Sequence, residues 1–282
     1  MRFARRGAPG SERLVVEIDG RLSLVPAEFG DLNARFLEDG AMERLAELDP
    51  STFEAFDADS SERWGAPIAA PGKVLCIGLN YRDHAAETGA ALPAEPVVFM
   101  KDPSTVVGPF DDVLIPRGSV KTDWEVELGV VIGRTARYLD SVESAADCIA
   151  GYVLSHDVSE REFQLERGGQ WDKGKSCETF NPCGPWFVPA SEIPDPQALR
   201  LWTRVNDEMR QDGSTADMVF PVLEVVRYLS QFMVLRPGDL INTGTPAGVG
   251  LGMPEPRYLR EGDVVELGIE GLGTARQRMV QA

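Results

Sequence analysis

The sequence predicts an α+β fold that is rich in β-structure. Two observations carry this prediction: apolar runs with strand-like alternation dominate the chain from Lys73 onward, and helical patterning is limited to a few short stretches. Strands and helices also fail to alternate regularly, which argues against a doubly wound parallel sheet. A chain of 282 residues, 43% of them hydrophobic, is long enough to bury a substantial core.

Residues 1–68 are predicted to form a small N-terminal domain, separate from a main domain at residues 69–282. The small domain begins with a predicted hairpin, in which Asp19-Gly20-Arg21 joins two short strands. Two helical stretches with apolar spacing follow, and Asp49-Pro50-Ser51 ends the second. The predicted elements of this domain are strands at residues 14–18 and 22–25 and helices at residues 31–37 and 41–48.

The main domain is predicted to contain most of the strands. Its predicted strands cover residues 74–77, 97–100, 124–132, 149–155, 201–205, 239–242 and 264–269. Its predicted helices cover residues 144–148, 159–167 and 221–230. The segment at residues 173–186 is rich in glycine and proline, and we therefore predict a loop there.

Composition and charge exclude several classes of function. The formal net charge is −17, whereas nucleic-acid binding depends on Lys and Arg side chains that neutralise phosphates. No apolar run is long enough to span a bilayer, and no apolar signal-peptide core follows the first residues. The four cysteines lack a Cys-x-x-Cys pair, which predicts free thiols rather than a zinc site. We therefore expect a cytoplasmic protein that binds neither nucleic acid nor membrane.

Three acidic residues at predicted strands indicate a metal site. In the segment TDWEVELGVVIG, at residues 122–133, alternation places Glu125 and Glu127 on the face opposite the bulky apolar side chains. Asp157 follows the next apolar strand. Carboxylates buried together require a cation, and their oxygens suit Mg²⁺ or Mn²⁺. The alternative interpretation is that both glutamates face solvent and pair with nearby Lys or Arg.

Two further segments carry candidate catalytic side chains. His84 and Glu87 are three residues apart, so one helical turn would place them side by side and let the carboxylate orient the imidazole as a general base. Lys175, in the predicted loop, is a candidate for stabilising a developing oxyanion. The alternatives are a surface His–Glu pair and a solvated lysine.

Two other kinds of catalytic site do not fit the sequence. The segment TGTPAGVGLG, at residues 243–252, has the glycine spacing of a dinucleotide site, but the proline-containing sequence MPEP follows where the phosphate-binding helix would begin. The chain also lacks the Gly-x-Ser-x-Gly turn of serine hydrolases. The glycine segment remains a candidate for supplying hydroxyls and backbone N–H groups to a carboxylate.

Taken together, these segments resemble the fumarylacetoacetate hydrolase family. The matching pieces occur in the family's order: GLNYRDHAAE, DWEVELGVVIG, SHDVSEREFQ, KGKSCETFNPCGPW and GDLINTGTPAGVG. The resemblance covers the chain from about Lys73 to the C-terminus. It implies a mixed β-sandwich roll with a smaller N-terminal α/β unit, and it implies a homodimer.

The resemblance also implies roles for nine residues. Glu125, Glu127 and Asp157 match the ligands of a divalent metal, normally Mg²⁺ or Mn²⁺. His84 and Glu87 match the pair that activates water, and Lys175 matches the lysine beside the reacting carbonyl. The positions implied to contact substrate are Arg161, Gln164 and Thr245.

The implied activity is hydrolysis of a carbon–carbon bond in a 2,4-dioxo acid, such as an acylpyruvate or a fumarylacetoacetate-like acid. The motif sequences most resemble those of two groups in the family. One group acts on acylpyruvates and 2,4-dioxo sugar acids, and the other consists of 2-hydroxyhepta-2,4-diene-1,7-dioate isomerases. The alternatives on the same metal site are decarboxylation of oxaloacetate-like acids and enol–keto isomerisation of hydroxymuconate-type dioates. A metal-binding protein without catalytic activity is the alternative from another class.

Overall fold

The computed structural model describes residues 1–57 and 61–282. Its strands are β1 (Arg2–Arg6), β2 (Arg13–Ile18), β3 (Arg21–Leu24), β4 (Trp64–Gly65), β5 (Val74–Gly78), β6 (Val97–Lys101), β7 (Val106–Val107), β8 (Val113–Ile115), β9 (Thr122–Asp123), β10 (Val126–Ile132), β11 (Ile149–His156), β12 (Ser159–Glu160), β13 (Asn181–Pro189), β14 (Arg200–Val205), β15 (Glu208–Ser214), β16 (Leu240–Asn242), β17 (Val264–Ile269) and β18 (Gly273–Gln281). Its α-helices are α1 (Ala34–Glu38), α2 (Ala41–Ala46), α3 (Arg82–Glu87), α4 (Glu143–Ala146), α5 (Arg161–Leu165), α6 (Asp172–Lys175) and α7 (Val222–Leu229).

The strands form one large sheet, one smaller sheet and a short ribbon. The large sheet has the order β3-β2-β1-β13-β11-β10-β16-β5-β6, and β4 and β7 pair with β1 and β13 beside this path. The smaller sheet has the order β15-β14-β17-β18-β8, and β9 pairs with β12. Most pairs are antiparallel, whereas β16 with β5, β13 with β7 and β18 with β8 are parallel. This mixed, strand-rich architecture confirms the predicted α+β class.

Both faces of the large sheet are buried at its centre, where every residue of β10, β11 and β13 is buried, and β10 shows how the sequence achieves this. One core cluster contains its side chains Val126, Leu128, Val130 and Ile132, together with residues of β14 and β17 in the smaller sheet. Val131, on the opposite face, belongs to a second cluster that includes Phe36 and Leu45 of the N-terminal helices. The predicted alternation is therefore confirmed, and the face that carries Glu127 is also an interior face.

The N-terminal strands continue the large sheet. Phe3 of β1 pairs with Phe187 of β13, and β2 and β3 extend the sheet to its edge. The predicted hairpin at residues 14–25 and the two predicted helices are present, with ends that differ by a few residues.

The predicted strand at residues 124–132 is present as β10, which begins two residues later, at Val126. One prediction about local structure was wrong. Residues 173–186 do not form a loop, since they contain the end of α6 and most of β13. Gly174 instead lets α6 approach α5, because a Cβ there would lie 2.5 Å from the backbone nitrogen of Gln164. Within this segment, Pro185 falls where the register of β13 with β11 shifts and Pro182 lies beside that shift, a position that tolerates proline in a sheet.

Among the described residues, no helix combines the length and the apolar character needed to cross a bilayer. All four cysteines are free, and Cys177 is the one that is only partly buried.

Candidate active site

The three predicted metal ligands converge because of the register between β10 and β11. Val126 pairs with His156, so the residues just outside that pair, Glu125 and Asp157, lie opposite each other, and the Asp157 N–H donates to the Glu125 carbonyl over 3.0 Å. Glu127, two residues further along, projects to the same side. One carboxylate oxygen from each of the three lies within 4.8 Å of the others, and all three residues are buried. We call these three residues the acidic cluster.

Three buried cations surround the acidic cluster. Lys175 Nζ lies 2.8 Å from Glu125 Oε2 and 2.8 Å from Asp157 Oδ2, so it bridges two carboxylates. Arg161 Nη2 lies 2.7 Å from Glu125 Oε1. Lys101, at the end of β6, donates to Asp157 and, over 3.0 Å, to the carbonyl of Val158. The charges of Glu125 and Asp157 are therefore compensated inside the protein.

Glu127 is the carboxylate of the cluster without such compensation. Its Oε2 accepts one hydrogen bond, from the Gly244 N–H over 2.7 Å. Burial and the adjacent charges of Asp157 and Glu125 raise the pKa of Glu127 well above its ordinary value. Burial also disfavours the charge of Glu125, but the charges of Lys175 and Arg161 outweigh it and hold the pKa of Glu125 far below the ordinary value. In the part of the chain that the structure describes, no Lys or Arg pairs with Glu127, whereas Glu125 and Asp157 both have such partners.

The His84–Glu87 pair lies on α3, next to the cluster. His84 Nδ1 is 3.2 Å from Glu87 Oε1, and Glu87 Oε2 accepts from the Gly248 N–H over 2.7 Å. A Cβ at Gly252 would lie 2.3 Å from Glu87 Cγ and Cδ, so glycine is required for this carboxylate to reach His84. His84 lines the same cavity as Glu125 and Glu127, which places the imidazole near the acidic cluster.

A cavity of about 280 Å³ joins these groups. Seven of the nine predicted site residues line it, and they are His84, Glu125, Glu127, Arg161, Gln164, Lys175 and Thr245. Glu87 lies behind His84, and Asp157 lies behind Lys175. The structure thus brings all nine predicted residues to one site.

The three predicted substrate-contacting residues are held by hydrogen bonds. Arg161 Nη1 donates to Gln164 Oε1 over 3.1 Å. The Thr245 hydroxyl donates to the Val126 carbonyl over 2.9 Å and accepts from Gln211 Nε2 over 2.7 Å. The hydroxyl proton of Thr245 is therefore already used in holding the glycine segment against β10.

The sequence did not single out three residues that organise the site. Asp123 accepts from Arg161 Nε over 2.8 Å and from the N–H groups of Gly250 and Leu251, and so it joins α5 to the glycine segment. Asn80 bonds both backbone groups of Phe220 and the Thr243 carbonyl. Lys101, described above, is the third.

The sequence contained features that could have indicated two of these three residues. Asp123 is part of the segment that suggested the metal site, and Lys101 is a charge at the end of an apolar strand. Asn80 gave no such signal, because its partners lie 140 and 163 positions away along the chain.

Comparisons with known proteins identify the family of the chain. The family model for the fumarylacetoacetate hydrolase C-terminal domain matches residues 73–280. A Burkholderia multivorans protein named "Putative hydrolase" is 51% identical over 279 residues, which cover 98% of each chain. A fumarylacetoacetate hydrolase from Exiguobacterium antarcticum has a TM-score of 0.87 at 36% identity, and the match covers 100% of both chains. A 2-hydroxyhepta-2,4-diene-1,7-dioate isomerase from Mycobacterium marinum has a TM-score of 0.75 at 32% identity, covering 100% of this chain and 98% of the other. This chain therefore belongs to the fumarylacetoacetate hydrolase family of enzymes.

Proposed function

We propose that the chain is a divalent-metal-dependent hydrolase that cleaves the C3–C4 bond of a 2,4-dioxo acid, of the acylpyruvate or fumarylacetoacetate type. One observation carries the proposal. Two of the three clustered carboxylates, Glu125 and Glu127, border the same cavity as the imidazole of the His–Glu pair, and Lys175 bridges Glu125 and Asp157. Metal-assisted hydrolysis needs these elements: a cation site, a base for water and a fixed positive charge.

Glu125, Glu127 and Asp157 are the residues that would hold Mg²⁺ or Mn²⁺. The donor set fits, because it offers carboxylate oxygens at a common point and these are the ligands that such hard cations prefer. Glu127 lacks a compensating cation, and Lys175 already places a positive charge between the other two carboxylates. When bound, the metal would supply Lewis acidity toward the oxygens of the 2-oxo acid.

His84 is the residue that we assign to water activation. Its Nδ1 faces Glu87, so Nε2 is left to take a proton from water while Glu87 stabilises the imidazolium that results. The water oxygen forms a bond to C4, the C3–C4 bond breaks and its electron pair remains on C3. Return of the proton from His84 to C3 yields a carboxylic acid and a shorter 2-oxo acid.

Lys175 supplies fixed positive charge where negative charge develops. Its ammonium is buried, and contacts with Glu125 and Asp157 hold it in place. Burial disfavours its charge, but the charges of Asp157 and Glu125 raise the pKa of Lys175 above its ordinary value, so the group stays protonated. A preorganised charge of this kind acts strongly in a site from which water is excluded. We assign Arg161, Gln164 and Thr245 to substrate contact because all three line the same cavity.

An enol–keto isomerase of dioates is the second candidate. The similarity to the Mycobacterium marinum isomerase, at 32% identity over nearly the whole of both chains, favours it. Isomerisation also passes through an enolate, like the one that forms when the electron pair of the C3–C4 bond remains on C3, but it consumes no water and breaks no carbon–carbon bond. The two functions therefore differ in whether His84 must activate water.

Product analysis of the purified protein with Mg²⁺ or Mn²⁺ tests the proposal. The substrates are acylpyruvates, oxaloacetate and a hydroxymuconate-type dioate. We expect cleavage of acylpyruvates that stops with excess chelator and returns when metal is restored. His84→Ala should abolish cleavage, whereas Glu255→Gln, an exposed control, should not. Cleavage that continues in chelator would refute the metal dependence, and isomerisation without cleavage would favour the second candidate.

A further inference from the structure

The cations that line the cavity are already paired with acidic side chains. Among the described residues that border it, the only Lys and Arg are Arg161 and Lys175. Arg161 is bound to Asp123 and Glu125, and Lys175 is bound to Glu125 and Asp157. Both cations are thus committed to the end of the cavity that contains the acidic cluster. Neither is free to meet a second carboxylate at the other end of a substrate.

The part of the cavity lining next to Lys175 consists of apolar and aromatic side chains, and we call it the apolar wall. Lys175 Nζ lies 5.0 Å from the ring centroid of Phe99, whose ring packs edge-on against Trp171 at 5.4 Å. Gly78 makes room for this indole, because a Cβ there would lie 2.5 Å from Trp171 Cζ3. Leu165 lines the cavity and is 45% exposed, which places it at the mouth. The other apolar side chains of the lining are Ile77, Leu79, Ala90 and Leu251.

The remaining polar side chains of the lining have partners within the protein. The Thr88 hydroxyl donates to the His84 carbonyl over 3.0 Å. The Gln164 carbonyl oxygen accepts from Arg161, and the Thr245 hydroxyl is held between Val126 and Gln211. A charged group placed against this wall would lose its hydration without gaining a cation, which is costly. The formal net charge of −17 adds repulsion for a second negative charge on a ligand.

We propose that the substrate is a monocarboxylic 2,4-dioxo acid whose acyl end is uncharged and apolar, and that Trp171 and Phe99 form the wall that selects it. This inference rests on the proposed function, because the carboxylate and 2-oxo group must bind at the acidic cluster for the acyl end to lie against that wall. It departs from the names of the similar proteins, since a heptadienedioate carries a carboxylate at each end. The acyl chain instead gains by burying apolar surface.

Binding of two 2-oxo acids of equal length tests the proposal without requiring turnover. The ligands are 2-oxohexanoate, which ends in a methyl group, and 2-oxohexanedioate, which ends in a carboxylate. Calorimetry with the full chain and excess Mg²⁺ should show that 2-oxohexanoate binds at least about 10-fold more tightly. Equal or tighter binding of the dioate would overturn the inference and leave the proposed function intact. If neither acid binds, the proposed function fails, and the inference fails with it.

Two variants examine the wall itself. Trp171→Ala should weaken binding of 2-oxohexanoate about 10-fold and leave pyruvate, which has no chain to reach the wall, within about 2-fold. Leu165→Arg should strengthen binding of 2-oxohexanedioate about 10-fold by providing the missing cation. Phe232→Arg is the matched control, because Phe232 is 64% exposed and lies outside the cavity lining. A Leu165→Arg variant that binds the dioate no better than the control would count against the inference, as would a Trp171→Ala variant that keeps full affinity for 2-oxohexanoate.

Discussion

Glu125→Gln and Glu127→Gln remove one negative charge each from nearly adjacent positions, yet the structure predicts opposite effects on the metal-free protein. Glu125 is paired with Lys175 and Arg161, whereas among the described residues Glu127 has a single hydrogen-bond partner, the Gly244 N–H. Glutamine has nearly the same shape as glutamate and can still accept that N–H. The pair of variants therefore separates the effect of charge from the effect of packing.

The magnitude follows from the spacing of the carboxylates. Two like charges within 4.8 Å repel by about 3 kcal/mol at an effective dielectric constant of about 20. Removing the charge of Glu127 should therefore raise the free energy of unfolding in chelator by about 1–3 kcal/mol, after partial relaxation. Removing the charge of Glu125 leaves Lys175 and Arg161 undercompensated and should lower it by about 3–5 kcal/mol, as expected when one partner of a buried ion pair is lost.

The effect of pH has a defined sign. Because folding raises the pKa of Glu127, the folded protein binds more protons at this position than the unfolded chain. At a pH where Glu127 is protonated in both the folded and the unfolded protein, it therefore does not destabilise the fold. As pH rises from the ordinary carboxyl pKa toward the raised pKa of the folded protein, Glu127 lowers the free energy of unfolding by an increasing amount. The difference in unfolding free energy between Glu127→Gln and the wild type should therefore also increase as pH rises.

Denaturant unfolding in chelator and in excess Mg²⁺ measures both consequences. Mg²⁺ at about 100 times its dissociation constant should stabilise the wild type by about 2.7 kcal/mol, and neither variant should gain as much. The account is wrong if Glu127→Gln is destabilised in chelator as strongly as Glu125→Gln, or if it keeps the whole stabilisation by Mg²⁺.

Three further predictions use other contacts. His84→Ala should lower the rate of hydrolysis by at least about 100-fold while Mg²⁺ still stabilises the protein, and loss of both effects would contradict a role confined to the base. Gly252→Ala should push the Glu87 side chain away from His84 and lower kcat about 10-fold, with a change of less than about 1 kcal/mol in unfolding free energy, because the clash is with a flexible side chain. Burial, which disfavours charge, lowers the pKa of His156 from 6.5 to about 4, so the stability that this residue contributes is present above pH 6.5 and is lost as pH falls to about 4. The unfolding free energy of His156→Gln should therefore vary with pH by up to about 3 kcal/mol less than that of the wild type. Parallel pH curves for the two proteins would show that His156 is not the source of this pH dependence.

The acidic cluster could be predicted because its signals are local. Alternation within the predicted strand at residues 124–132 placed Glu125 and Glu127 on one side, and Asp157 followed the next predicted strand, which is the antiparallel neighbour of β10. Asn80 could not be predicted, because its partners lie 140 and 163 positions away along the chain and only the packing of the fold brings them together. Glycine and proline misled the prediction at residues 173–186, because there they permit close packing and an irregular strand register instead of a loop.

The central claim is that Glu125, Glu127 and Asp157 share one divalent cation. Titration of the metal-free protein with Mn²⁺, followed by electron paramagnetic resonance of the free ion, tests it most directly. We expect one tightly bound Mn²⁺ per chain in the wild type and none in Glu125→Gln or Glu127→Gln. A protein that binds no Mn²⁺, or variants that bind it as tightly as the wild type, would contradict the claim.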